Sequence, residues 1–306
     1  MTQDPSNLHG GRMERPSEHT DGRGGRRGWQ SEKLEGELPP SEGAAPVEMD
    51  ARLSEIPTDI VKKVRQEVKT DVPGLEEAGN FGLENVHGDN DMQLVTETVY
   101  PWPSVAYITV ERSGGGAVRG TAFYVAPRLL VTAAHCLEDE AGKATKVNVF
   151  PGLRADGSTV LPSSSAMAYR TPQGWFNNWG AHLDYGLILV PPAAAHPGAH
   201  FTLTVLADQQ LWGLPTILGG YPSINNSKRL MAAGGRLGPP TATVLPHVID
   251  SENGQSGGPT FTLSGGVAHA VGIHTTGTVE FNWALRITPT VLAEIKGWAT
   301  AWGLPF

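Results

Sequence analysis

The chain predicts an all-β domain, a barrel or a sandwich, closed by one C-terminal helix. Three observations carry this. After about residue 84, short runs of β-branched and aromatic residues alternate with Gly, Pro and Asn turns: Val105 to Val110, Thr121 to Val125, Val147 to Phe150, Gly186 to Val190, Thr216 to Leu218, Val267 to His274 and Trp283 to Ile287. The last segment changes period: Val291, Leu292, Ile295, Trp298 and Trp302 fall on one helical face, behind a capping Thr288 and a first-turn Pro289. There is one cysteine, Cys136, so no intrachain disulfide forms and the fold stands on its core, with Cys136 read as a small buried packing residue.

The 306 residues suffice for two domains, or for one domain and an extension. Residues 1–84 are rich in Gly, Pro, Glu and Arg, and Trp29 and Phe81 are their only aromatics. They bury too little apolar surface to offset their ordering entropy, which predicts a largely disordered N-terminal extension before a domain at 85–306. Thr58 to Val68 is the exception, with Ile60, Val61, Val64 and Val68 at helical spacing. Gly114-Gly115-Gly116 lies between two strand-like runs and reads as a hairpin turn. The apolar stripe of the terminal helix is expected to pack on the β core.

Net charge is -8, from 31 acidic and 23 basic residues, without the basic face of a nucleic-acid binder. The longest apolar runs, such as Gly186 to Val190, stop at prolines, far short of the roughly 20 residues of a membrane span. Met1 to Gly10 contain no apolar leader, and nothing in the sequence fixes a compartment. No metal or cofactor is expected. His182 and Asp184 lack a third ligand at a familiar spacing, and Pro197-Gly198 argues against a helix presenting both His196 and His200.

Three motifs carry chemistry. Val131-Thr132-Ala133-Ala134-His135-Cys136 offers a base, Asp184-Tyr185-Gly186-Leu187-Ile188 an acid to orient it, and Gly254-Gln255-Ser256-Gly257-Gly258-Pro259 a hydroxyl on a glycine-rich turn. Chain order discriminates between triad arrangements. The nucleophile elbow of α/β-hydrolases needs the acid and then the histidine after the serine. After Ser256 the only histidines are His269 and His274, and the only carboxylates are Glu280 and Glu294, with no histidine behind them. That order is closed, whereas the order His, Asp, Ser is available. A serine hydroxyl is a poor nucleophile near neutrality and needs a base; an imidazole of pKa about 6.5 can take and return its proton.

With Gly120-Thr121-Ala122-Phe123-Tyr124-Val125 before the first motif and Gly272-Ile273-His274-Thr275 after the last, the chain from about residue 85 resembles the trypsin/chymotrypsin superfamily of serine proteases, and within it the glutamyl endopeptidases. The resemblance implies two antiparallel β-barrels, roughly residues 95–195 and 196–287, with His135, Asp184 and Ser256 meeting at the cleft and the N–H groups of Gly254 and Ser256 forming the oxyanion hole. It implies a pocket for a Glu or Asp side chain, read by His274 and by Ser251, with Thr275 to Gly277 pairing to the substrate backbone. Gln255 departs from trypsin, whose aspartate before the nucleophile pairs with the freed N-terminus. Glu84 to Asp91 resembles the maturation junction of the glutamyl endopeptidases, with cleavage expected after Glu84. The expected protein is therefore a monomeric serine endopeptidase acting on polypeptides, synthesised with a pro-segment. The alternative is a catalytically silent peptide-binding module on the same fold.

Overall fold

In this computed structural model the described residues are 86–87, 90–178, 180–223, 228–277 and 281–306. The extension at 1–84, the helix expected at Thr58 to Val68 and the junction at Glu84-Asn85 lie outside them.

The described residues form two eight-stranded sheets. The strands are β1 (Gln93–Leu94), β2 (Val105–Arg112), β3 (Ala117–Ala126), β4 (Leu129–Thr132), β5 (Glu138–Asp139), β6 (Gly142–Pro151), β7 (Ser164–Ser165), β8 (Ala168–Arg170), β9 (Gly186–Leu189), β10 (Thr202–Leu203), β11 (Pro215–Gly220), β12 (Met231–Arg236), β13 (Val244–His247), β14 (Pro259–Ser264), β15 (Val267–Gly277) and β16 (Asn282–Arg286). The first sheet runs β5-β6-β2-β3-β4-β9-β8 with β7 on β6, and the second β1-β12-β11-β14-β15-β16-β13 with β10 on β15. Each curls into a half-barrel, the trypsin-like architecture that the resemblance implies. Pairing is antiparallel except for β10, which runs parallel to β15. The expected boundary near 195 holds, but β1 precedes the first half-barrel in sequence and pairs in the second, with Gln93 opposite Ala232.

Every predicted strand is present. The glycine hairpin turns β2 into β3, with the Gly115 N–H donating to the Arg112 carbonyl. β4 and β9 are buried along their whole length, matching the apolar runs Leu-Leu-Val and Gly-Leu-Ile-Leu that they contain. Aromatic rings stitch the halves together. Phe123 of β3 meets Phe201 edge-on at 5.3 Å between centroids, and Phe201 meets Phe261 of β14 at 5.2 Å. Such pairs contribute about 0.5–1.5 kcal/mol each beyond area burial.

The terminal helix spans Pro289–Ala301, with the Thr288 hydroxyl accepting the Val291 N–H at 3.2 Å. Val291, Leu292, Ile295 and Trp298 are buried, and Trp302 packs beside them. The helix is tied to the residue just before β9: the Tyr185 hydroxyl donates to the Glu294 carboxylate, and its ring stacks on Trp298 at 5.7 Å.

Candidate active site

Strand pairing brings the acid to the base. β4 and β9 are antiparallel, with Thr132 opposite Gly186. Three residues beyond Thr132 is His135, in the helical turn Ala134–Leu137; two residues before Gly186 is Asp184, at the end of the turn Ala181–Leu183. The fully buried Asp184 carboxylate accepts the His135 main-chain N–H on Oδ1 at 2.9 Å and faces His135 Nδ1 from Oδ2 at 2.7 Å. One carboxylate therefore fixes both the ring and the backbone that carries it. Burial pulls the imidazole pKa down, but the Asp184 charge and hydrogen bond, with a contribution from the adjacent Cys136, outweigh it and hold the value well above 6.5.

The serine arrives from the second half-barrel on a turn that only glycines can make. Gly254 sits at φ +99°, and a Cβ there would stand 2.6 Å from the Tyr221 carbonyl oxygen. Gly257 sits at φ +83°, and a Cβ there would meet both the Thr121 carbonyl oxygen and the Thr132 hydroxyl at 2.2 Å. These approaches press the turn onto β3 and β4, the strands that lead into His135. The Ser256 carbonyl accepts the Thr121 N–H at 2.9 Å and the Cys136 thiol at 3.5 Å, so the Ser256 backbone touches the residue after His135. The Ser256 hydroxyl donates to the Thr275 carbonyl at 3.3 Å. Within the turn the N–H groups of Gln255 and Gly258 are used, by the Glu252 and Gln255 carbonyls. The Gly254 N–H has no partner among the described residues, as a donor kept for an oxyanion would.

The remaining predicted residues flank this point. His274, fully buried on β15, donates its N–H to the Gly258 carbonyl at 2.8 Å and accepts from Gly257 at 2.7 Å. Ser251 is fully buried, and its hydroxyl, like that of Thr276, has no hydrogen-bond partner among the described residues. A buried hydroxyl in that state calls for an explanation, and a ligand group is one. β14 covers one edge of β15 only as far as Ile273, opposite Pro259, while β16 follows the other edge to Gly277. Thr275, Thr276 and Gly277 thus extend past their β14 neighbour, as a strand that accepts an added peptide must.

Sequence reasoning passed over two residues here. His247 of β13 is buried with its ring 5.6 Å from that of His274. Burial, then the charges of His274 and His87, push its pKa well below 6.5 and keep it neutral. Thr121 joins the halves: its N–H binds the Ser256 carbonyl, its hydroxyl donates to the Gly254 carbonyl at 2.8 Å and accepts the Tyr221 N–H at 3.0 Å, and its carbonyl takes the Thr132 hydroxyl at 2.7 Å. The β-branched Thr in a quoted motif was the only available signal. Thr121→Val orphans the Gly254 carbonyl and the Tyr221 N–H, a loss of about 1–3 kcal/mol for each buried group. We expect a lower urea midpoint and a fall in kcat, both recovered by Thr121→Ser; a Val variant with parental kcat would leave Thr121 no part in holding the turn.

Among the described residues no group of three or more His, Cys, Asp or Glu is placed to hold a metal ion, and no helix is long and apolar enough to cross a membrane. No family model matches the chain. It is 27% identical over 232 residues to the glutamyl endopeptidase of Bacillus licheniformis, covering 71% of this chain and 70% of that protein. It is 23% identical over 214 residues to the extracellular metalloprotease of Bacillus subtilis, covering 69% and 68%. A solved Glu endopeptidase superposes with a TM-score of 0.61 at 22% identity, over 71% of this chain and 99% of that one.

Proposed function

We propose that this chain, a serine endopeptidase of the trypsin/chymotrypsin superfamily related to the glutamyl endopeptidases, cuts polypeptides after acidic residues through an acyl-enzyme on Ser256. The observation that carries the chemistry is the 2.7 Å pair of His135 Nδ1 and Asp184 Oδ2, beside a serine whose carbonyl contacts Cys136. With Nδ1 committed to Asp184, Nε2 is the nitrogen left to act as base. Ser256 Oγ attacks the scissile carbonyl carbon as its proton passes to His135 Nε2. The oxyanion so formed is held by the Gly254 and Ser256 N–H groups, each such donor contributing about 3–4 kcal/mol. The C–N bond then breaks as Nε2 returns the proton to the leaving amine. Water attacks the ester with His135 again as base, and Ser256 regains its proton.

For the acidic preference, the support is the buried imidazole of His274 and the unpartnered hydroxyl of Ser251. Both can hydrogen-bond a carboxylate, and a protonated imidazole adds charge assistance. An apolar side chain would leave these groups unpaired, a mismatch that polar sites reject by roughly 10⁴-fold. Matched peptides that differ only at the residue before the cut test this. We expect kcat/KM to fall in the order Glu, Asp, Gln, Leu, and His274→Ala to erase the gap between the two acids and Gln. Equal rates for Glu and Leu would remove the acidic preference and leave the serine protease reading intact.

A further inference from the structure

The carboxylate of Asp250, next to Ser251, is 1% exposed and pairs with no cationic side chain among the described residues. Its oxygens are occupied by main-chain amides from far upstream. His87 donates to Oδ1 at 2.8 Å and Asp91 to Oδ2 at 2.6 Å. The same stretch of chain has further contacts, two to the second half-barrel and one within itself. Val86 and Met92 pack on Leu218, Ala233 and Ile249. Asn90 caps the Met92 N–H with its side-chain oxygen at 3.0 Å. Val95 then donates to the Leu230 carbonyl at 2.9 Å, just after β1 has paired with β12.

Two consequences follow for the neighbouring pocket. Asp250 sits on the stretch between His247, whose ring faces His274, and Ser251. A segment clamped to Asp250 therefore braces the wall that carries those groups. The second consequence is electrostatic. A buried anion is tolerated only when hydrogen-bonded, and here two amides supply those bonds. Without them Asp250 would present an unshielded negative charge beside a pocket meant for a carboxylate, and like charges repel.

We infer that Asp250 is a positioning residue for the acid-reading pocket: its carboxylate seats His87 and Asp91 on the second half-barrel, and the seated amides screen it from the acidic side chain of the substrate. This rests on the Glu-directed reading of that pocket. Both anchors are interior amides, so the seat uses no free α-ammonium, unlike the trypsin device that Gln255 rules out here.

The test uses the full chain and reads the seat and the pocket separately. Hydrogen exchange reads the seat: the His87 and Asp91 amides are protected in the parent and lose at least tenfold of that protection in Asp250→Ala. Parental amides that exchange at unstructured-peptide rates overturn the seat. The ratio of kcat/KM for Glu over Gln at the cleaved residue reads the pocket. It falls at least tenfold in Asp250→Ala and in His87→Pro, which removes one amide donor, and the loss lies mainly in KM. His87→Pro keeps the core intact should Asp250→Ala fail to fold. In the double variant His87→Pro/Asp250→Asn the unscreened charge is gone, and part of the ratio returns. A parental ratio in both single variants, with protection lost, overturns the link to the pocket. A parent that labels with a fluorophosphonate yet shows no Glu preference refutes the Glu-directed reading instead, and with it the pocket role, while the exchange data still decide the seat.

Discussion

Changing Ser256 to alanine lowers kcat by about 10⁶-fold, the scale seen when a triad nucleophile is removed and only transition-state binding groups remain. The same variant loses covalent labelling by a fluorophosphonate, because the alcohol that attacks phosphorus is gone. Removing the hydroxyl also deletes the bond to the Thr275 carbonyl, but that strand stays held by β16 and by the His274 amide, so the fold survives. Affinity for an acidic peptide persists, since His274 and Ser251 are untouched. The outcome separates an enzyme from a silent peptide-binding module: a module binds peptide, never labels and shows no loss on substitution. Hydrolysis near the parental rate in Ser256→Ala would mean that another nucleophile does the work.

The second large effect is at Asp184. Asparagine keeps the size but brings an amide to a position where a carboxylate fixed the tautomer of His135, and kcat falls by about 10⁴-fold. The pH behaviour gives a sharper signature. Asp184 is what raises the His135 pKa well above 6.5 against the opposing effect of burial. Catalysis needs the neutral ring, so in the parent kcat/KM climbs as pH rises through that raised value. In Asp184→Asn burial remains while the charge is gone, so the rising limb moves to lower pH. Stability follows the same linkage. A folded pKa above the unfolded value contributes stability that is complete below about pH 6.5 and is lost as pH rises through the folded value. Denaturant melts of the parent should therefore show this increment on the acid side, and Asp184→Asn should lack it. A rising limb that stays in place in Asp184→Asn would assign the titration to another group.

The residues of the candidate site were legible in the sequence because each part depends on a local pattern. The turn before Ser256 needs glycines, the run Leu129 to Val131 is fully buried and apolar, and the terminal helix announces itself through Thr288, Pro289 and a period of 3.6. Other elements were hidden for physical reasons. β12 reads Met-Ala-Ala-Gly-Gly-Arg, small residues of low β-propensity that a strand accepts only because packing against β11 overrides preference. β13 contains Pro246, a residue that reads as a turn and survives because β13 is the last strand on its side of the sheet. The Asp250 contacts span 163 and 159 positions along the chain, beyond any periodicity. Thr121 stood in plain sight, but the four hydrogen bonds that it makes belong to the tertiary structure.

The split of the machinery across two sheets has a thermodynamic meaning. The proposed base and orienting acid come from one half and the proposed nucleophile from the other, joined by ring contacts and by the hydrogen bonds of Thr121 and Cys136. Turnover is thus a gauge of how well the halves mate, and a loosening of their seam too slight to melt either would silence the protein while its circular dichroism stayed unchanged.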